Sequence, residues 1–307
     1  MEKIAIIGTG TIGSKIATFF NKKYSISILD HGKNYLFFKN NFPQIIFNKG
    51  DALKNDLLEK VIKDSKFIFY CLNNGGVFQC MQNYEKFHKI NIIDFTKILD
   101  SIKKINPNAI IVFFSAGYVY SDIKINFEDS FTTPKTEYGK LKLLQEQILQ
   151  KSNLNFIILR LSTLYGSNFL DENDQSDVIK KFIFDAFHKN KIKLHGDGTH
   201  KVNFLHVDDL MKLLDQLMQH HTKKLIYNAS GKKQYFVSDI AKMIQTIFKE
   251  KFELCVELEL ENDKNHMPNF PEMSTQKLQN DFLWQPTMDF KIVLQQLISD
   301  YVSCHKR

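Results

Sequence analysis

Arginine is nearly absent from this sequence. Of 307 residues only Arg160 and Arg307 carry a guanidinium, so the basic side chains are almost all lysine. Sequence-specific DNA readers rely on arginine for bidentate contacts with base edges, and the lysines here are scattered rather than clustered. The formal net charge of +7 is therefore read as a compositional bias, and no nucleic-acid partner is expected. Cysteine is scarce as well. Cys71, Cys80, Cys255 and Cys304 form no Cys-x-x-Cys pair, which argues against a disulfide framework or a cysteine zinc site and fits a reducing compartment. His220-His221 is no metal site, because adjacent residues of a helix face different ways. Long hydrophobic runs are missing too. Stretches such as Ala109–Ser115 are too short to span a bilayer, and Ile4–Ile7 is too short for a signal-peptide core. A cytoplasmic protein without a membrane partner is the expectation.

What is present is alternation. Ile4–Ile7, Ser25–Leu29, Lys66–Cys71, Ala109–Phe114 and Asn155–Leu161 read as buried strands. Between them, Ile12–Asn21, Asp56–Lys63, Asn91–Lys103 and Tyr138–Gln150 read as helices. This order implies right-handed βαβ units and a parallel sheet, with ligands bound beyond the carboxyl ends of the strands. Further on, Asp177–Lys189 and Asp208–Gln219 read as helices and Lys224–Asn228 as a strand. Ser238–Phe248 reads as a helix capped by Ser238, and Phe252–Leu260 as an alternating edge strand. Three of the six prolines fall between 268 and 286, in a less regular half of the chain. The expected class is α/β: a Rossmann-type doubly wound parallel sheet (residues 1–170 plus 204–230) with a smaller mixed α/β substrate-binding lobe (171–203 plus 231–307).

Gly8-Thr9-Gly10-Thr11-Ile12-Gly13 follows the first strand and opens a helix. One glycine makes the turn, the next admits a pyrophosphate to the backbone, and the third lets helix pack on strand. The helix N-terminus then receives the phosphates on the backbone of Thr11 and Ile12. Asp30 ends the second strand, 17 positions after Gly13. A carboxylate there accepts both ribose hydroxyls and repels a 2′-phosphate, which favours NAD over NADP. Asp51 and Ala52, in the Gly50-Asp51-Ala52 turn, are placed to meet the adenine.

Tyr138 and Lys142 stand one helical turn apart. A nearby ammonium favours the phenolate, so such a tyrosine exchanges a proton near neutrality. The spacing alone decides nothing, because chance yields roughly 1.4 Tyr-x-x-x-Lys pairs in this composition. Tyr35/Lys39 and Tyr120/Lys124 share it. Only Tyr138/Lys142 follows a proline-containing loop and opens a long amphipathic helix; it also comes just after the strand Ala109–Phe114.

At these residues the chain resembles the extended short-chain dehydrogenase/reductases, the NAD-dependent epimerase/dehydratase family. Tyr138-Gly139-Lys140-Leu141-Lys142 with Glu146 is similar to the family's Y-G-x-S-K-x-x-x-E segment. Leu159-Arg160 through Leu164-Tyr165-Gly166 resembles its I-L-R-x-x-x-x-Y-G strand end. Gly196-Asp197-Gly198 with Asn203–Asp209 resembles its G-D-G … D-F-I-H-V-D-D segment. The resemblance implies that Tyr138 is the acid/base and that Lys142 holds the nicotinamide ribose and tunes it. It also implies that Leu72, Asn73 and Asn91 belong to the cofactor cleft and that Thr163 contacts substrate. A homodimer formed through the Asn91 and Tyr138 helices is implied too.

Three departures stand out. The family's first glycine would fall at Ile7. Its catalytic Ser/Thr would fall at Ala116, a substrate-facing position, leaving Ser115 as a stand-in if the loop is shifted. Its pyrophosphate-binding arginine would fall at Val202, leaving Lys201 or Lys264 to supply charge without a bidentate fork. Gly117 and Tyr118 occupy the places of a dehydratase's acidic pair, which disfavours a dehydratase. The expectation is NAD-dependent oxidoreduction at a carbon of a nucleotide-activated sugar, by an epimerase or sugar dehydrogenase. The alternatives are an NAD(P)H-dependent keto-sugar reductase and a non-catalytic NAD-binding sensor or assembly protein.

Overall fold

The computed structural model describes the chain except residues 73–74, 122–124, 167–176, 197, 221–223, 262–267 and 306–307. Its described residues divide into two compact units, residues 1–161, 211–229 and 273–284 in the first, and residues 162–210, 230–272 and 285–307 in the second. These units divide the chain differently from the limits expected from sequence. Strands at 163–165 and 201–206 pair with each other in the second unit, and residues 273–284 join the first.

The first unit begins with β1 (Lys3–Ile7), α1 (Thr11–Phe20), β2 (Ser25–Asp30), α2 (Tyr35–Asn41), β3 (Ile46–Lys49), α3 (Asn55–Ile62) and β4 (Phe67–Tyr70). It continues with α4 (Val77–Gln82), α5 (Tyr84–His88), a π-helical turn (Lys89–Asp94), α6 (Phe95–Ile105) and β5 (Ile110–Ala116). A 3-10 turn (Gly117–Val119), α7 (Glu137–Lys151) and β6 (Asn155–Leu161) follow. With β10 (Leu225–Ala229), these strands form a parallel sheet in the order β10-β6-β5-β4-β1-β2-β3. The order reverses between β1 and β4, so the crevice for a ligand opens at the carboxyl ends of those two strands. Strands covered on both faces must be apolar throughout, and β4 (Phe67-Ile68-Phe69-Tyr70) is buried at every position. The helix α11 (Gln276–Phe282) lies beside β10, where Tyr227 donates to Asp281 at 2.7 Å.

In the second unit β7 (Thr163–Tyr165), β9 (Lys201–His206) and β11 (Gln234–Phe236) form one small sheet. β8 (Lys191–His195) and β12 (Glu257–Glu261) form another. Helices α8 (Val178–Lys189), α10 (Val237–Phe252) and α12 (Phe290–His305) enclose an apolar core around Ile183, Ile244 and Leu294. The first residues of α9 (Val207–His220), up to Leu210, belong to this unit and include Asp209, whose carboxylate accepts from the backbone N–H groups of Thr287 and Met288, both at 3.0 Å. Two readings shift here. Helix α10 starts at Val237, so Ser238 lies inside its first turn rather than capping it. The helix also runs on to Phe252, which shortens the edge strand to Glu257–Glu261. No helix among the described residues is long and apolar enough to cross a membrane.

Candidate active site

The glycine turn sits at the reversal point of the sheet. Gly8 has φ +95, a left-handed conformation that side chains disfavour. A Cβ there would also stand 2.9 Å from Leu72 Cδ2 and 3.1 Å from the Cys71 carbonyl carbon, so the turn and the end of β4 touch. Gly13 is needed for packing: a Cβ would lie 2.0 Å from the Gly8 carbonyl oxygen. Gly10 differs from both. A Cβ on it would meet nothing within 4 Å, and no side chain caps the helix it begins. The first turn of α1, with Thr11 and Ile12, therefore offers its backbone N–H groups to open space.

Asp30 is oriented before any ligand arrives. Its Oδ2 accepts from Thr9 N–H at 2.9 Å and its Oδ1 from Gly32 N–H at 2.8 Å. Asn34 joins the same cluster, donating to the Thr9 carbonyl at 2.5 Å and to Ser14 Oγ at 3.2 Å. The Thr9 hydroxyl is buried and finds no hydrogen-bond partner among the described residues. Sequence reasoning passed over Thr9 and Asn34, although a polar residue four positions beyond Asp30 on the same turn was a usable signal. Asp51 closes its own turn by accepting from Leu53 N–H at 2.9 Å, with Ala52 buried beside it.

The second cluster gathers around α7. Thr136 caps the helix by accepting from Gly139 N–H at 3.0 Å. A Cβ on Gly139 would stand 2.2 Å from the Tyr118 carbonyl oxygen, so the 3-10 turn after β5 packs directly on the first turn of α7. This places Tyr138 and Lys142 beside the carboxyl end of β5. Lys142 is buried, and its Nζ donates to the Phe114 carbonyl at 2.9 Å. The ammonium also stands 4.9 Å from the Phe113 ring centroid and 5.9 Å from that of Tyr138. Burial lowers its pKa from 10.5 to about 8, opposed by the charge of Glu146 and, less, by the Cys80 and Cys71 thiols. Burial in turn raises both thiols, Cys71 and Cys80.

Ser115 is a correction. Its hydroxyl donates to Glu146 Oε1 at 2.5 Å, and that carboxylate is also held by Arg160, with Nη2 to Oε2 at 2.7 Å and Nε to Oε1 at 3.0 Å. Strand alternation sends Ser115 into this buried ion pair, so it does not replace the hydroxyl that Ala116 lacks. Ala116 itself is buried at the end of β5. Asn91 is buried within the π-helical turn, a local widening that gathers at functional sites. Asn73 and Lys264 lie outside the described residues. In the second unit Thr163 starts β7 half-buried, and exposed Lys201 holds its ammonium 5.4 Å from the Phe236 ring centroid. Val202 packs its side chain into the apolar core of that unit.

The chain belongs to the NAD dependent epimerase/dehydratase family, whose model matches residues 4–230. A dTDP-D-glucose 4,6-dehydratase of Dictyostelium discoideum is 26% identical over 80% of this chain and 62% of its own length. UDP-glucuronate 4-epimerase 4 of Arabidopsis thaliana is 23% identical over 84% of this chain and 63% of its own length. The chain thus spans less than two thirds of these relatives, and 32% of a trifunctional Arabidopsis UDP-glucose 4,6-dehydratase. Among solved structures, a Bacillus cereus UDP-glucuronic acid 4-epimerase variant with NAD and a fluorinated UDP-sugar superposes with a TM-score of 0.87 at 20% identity, covering 99% of this chain and 100% of that one. The Thermotoga maritima UDP-glucose 4-epimerase with UDP-glucose gives 0.85 at 18% identity, with coverage of 99% and 100%. These likenesses establish the fold.

The glycines separate fold from binding. Gly13→Ala is expected to destabilise the chain by at least about 1–3 kcal/mol, because the methyl meets backbone. Gly10→Ala is expected to stay within about 1 kcal/mol of wild type. Urea unfolding followed by circular dichroism checks both, and equal losses would contradict the assignment.

Proposed function

We propose that this chain binds NAD and carries out oxidoreduction at a carbon of a nucleotide-activated sugar, as an epimerase or sugar dehydrogenase. The observation that carries the proposal is the buried Lys142 ammonium beside Tyr138 at the end of β5. The cofactor fits the residues present. Gly10 leaves open space before an uncapped helix N-terminus, where backbone N–H groups suit a pyrophosphate. Each Asp30 oxygen accepts one backbone N–H and has a further lone pair for a ribose hydroxyl, while its charge disfavours a 2′-phosphate. When bound, NAD supplies the acceptor and donor of hydride.

The chain's own part is acid/base chemistry. In this reading Lys142 hydrogen-bonds the nicotinamide ribose and favours the Tyr138 phenolate. Tyr138 takes the proton of the sugar hydroxyl during oxidation and returns it during reduction. Asn91 and Leu72 border the cofactor, and Thr163 and Lys201 contribute to substrate binding. Dehydratases stand among the relatives, so the choice within the family rests on this chain's residues. Gly117 and Tyr118 carry no carboxylate to expel water, which supports an epimerase or dehydrogenase. A keto-sugar reductase would use the same residues in reverse. Ala116, with Ser115 tied to Glu146, supports one reading of another class, a non-catalytic NAD-binding protein.

The cytoplasm is the proposed location, since the four cysteines are free thiols. A homodimer is proposed through α7 and the π-helical turn, which carry exposed Leu144 and Ile93, together with α4, which packs against α7 and carries exposed Phe78 and Met81. Light scattering is expected to return twice the chain mass for wild type and one chain mass for Leu144→Glu. A monomeric wild type contradicts the dimer.

Mass spectrometry of ligands released from the purified chain is expected to find NAD, and to find little in folded Gly10→Ala. Added UDP-glucose, dTDP-glucose or UDP-glucuronic acid is expected to reduce that NAD transiently, read at 340 nm. Tyr138→Phe is expected to lower the rate by at least about 10²-fold. Retained NAD without reduction by any nucleotide sugar would favour the non-catalytic reading, and an unchanged rate in Tyr138→Phe would remove Tyr138 from the chemistry.

A further inference from the structure

An alcohol that loses hydride becomes a carbonyl, and the charge passing through its oxygen is best held by two groups, one that moves the proton and one that donates a fixed hydrogen bond. Tyr138 is placed for the first task. Neither of the last two residues of β5 supplies the second: Ala116 has no hydroxyl, and the Ser115 hydroxyl is given to Glu146 at 2.5 Å.

Tyr118 stands in that gap. It lies in the 3-10 turn that directly follows Ala116, and its ring packs edge-on against Tyr138 with centroids 6.2 Å apart and planes at 76°. Its backbone is fixed, because the Tyr118 carbonyl oxygen packs against Gly139, the neighbour of Tyr138. The side chain is half-buried, so it borders space rather than filling the core. Its phenol is a durable donor: burial pushes its pKa up to about 12, so it keeps its proton at neutral pH. Rings packed this closely leave both phenols within reach of one neighbouring substrate.

We propose that the Tyr118 hydroxyl is the second hydrogen-bond donor to the oxygen on the reacting sugar carbon, in place of the side-chain hydroxyl missing at position 116. This rests on the enzyme reading above. In the oxidation, the C–H electron pair leaves as hydride to the bound dinucleotide, the O–H proton passes to the Tyr138 phenolate, and C–O becomes C=O. Tyr118 gives up no proton. It donates throughout to the same oxygen, and its neutral ring takes the place of the carboxylate that a dehydratase would carry. The same position thereby favours plain oxidoreduction over loss of water.

The test pairs kinetics with binding. Tyr118→Phe keeps the ring and removes only the hydroxyl. It is expected to lower kcat by about 10²-fold with little change in KM, and Tyr118→Phe with Ala116→Thr is expected to regain at least a tenth of the wild-type kcat. The second readout needs no turnover. In the Tyr138→Phe background, calorimetry with UDP-glucose, dTDP-glucose and their 4-deoxy-4-fluoro analogues is expected to show the parent sugar bound about 3–10-fold tighter, and Tyr118→Phe is expected to erase that difference. A kcat within twofold of wild type overturns the proposal. So does a loss of kcat that Ala116→Thr does not rescue and that leaves the binding difference intact, since that marks a packing role. A wild type that binds none of the four sugars overturns the enzyme reading itself, and the Tyr118 assignment falls with it.

Discussion

A lysine ammonium held away from water is the constraint around which this site is arranged. Among the described residues, Lys142 donates to the Phe114 carbonyl and has the Phe113 and Tyr138 rings close by. Burial works against its charge, so something must keep the ammonium in place and in register with Tyr138. The helix does this first: Tyr138, Lys142 and Glu146 recur every fourth residue along one face of α7, which turns that face toward the end of β5. The strand does it second. Phe114 presents its carbonyl to Lys142, and Ser115 presents its hydroxyl to Glu146. One helix face is thereby tied at two consecutive residues of one strand.

The anchor behind this clamp is a buried ion pair. Arg160 of β6 grips Glu146 and also donates from Nη1 to the Tyr120 hydroxyl at 2.5 Å and to the Glu128 carbonyl at 3.1 Å. Tyr120 passes the chain of bonds on to Asn228 of β10 at 2.8 Å, whose own N–H donates to Glu128 Oε1 at 2.8 Å. Such a pair costs desolvation and repays it only when every polar atom is used. Here it links β5, β6, β10, α7 and the loop before α7. That explains why a chain with two arginines places one of them in the interior: the planar fork engages a carboxylate and a phenol at once, as an ammonium does not.

Much of this was legible in the sequence, and the failures have physical causes. The strands of the parallel sheet are nearly continuous apolar runs, and Gly8–Gly13 announces its turn through three separate steric needs, so both could be read without partners. Tyr138 and Lys142 were found through context rather than spacing. Ser115, Val202 and Tyr118 were not legible, because their roles depend on which neighbour lies opposite. Alternation alone hinted that Ser115 faces away, but only the position of Glu146 shows where it goes. For Val202, only the pairing of β9 shows that the side chain turns into a core. The division into units differs from the sequence expectation for the same reason. Strands β7 and β9 pair across a long sequence gap, and nothing local marks residues 273–284 as belonging beside β10. The π-helical turn at Asn91 likewise leaves no trace in a pattern that reads as one helix from 91 to 103.

In the proposed reading the charge on buried Lys142 sustains the proton exchange at Tyr138, so turnover follows the titration of Lys142. Burial lowers Lys142 to about 8 against Glu146, Cys80 and Cys71, so the ammonium is present below that pH and lost as the pH rises through it. The measurement is the pH dependence of kcat for nucleotide-sugar turnover in wild type and in Lys142→Arg, whose guanidinium stays charged. An alkaline limb near pH 8 is expected in wild type, and no such limb in the activity that Lys142→Arg retains. A wild-type rate that stays level to pH 10, or the same limb in both proteins, would contradict it.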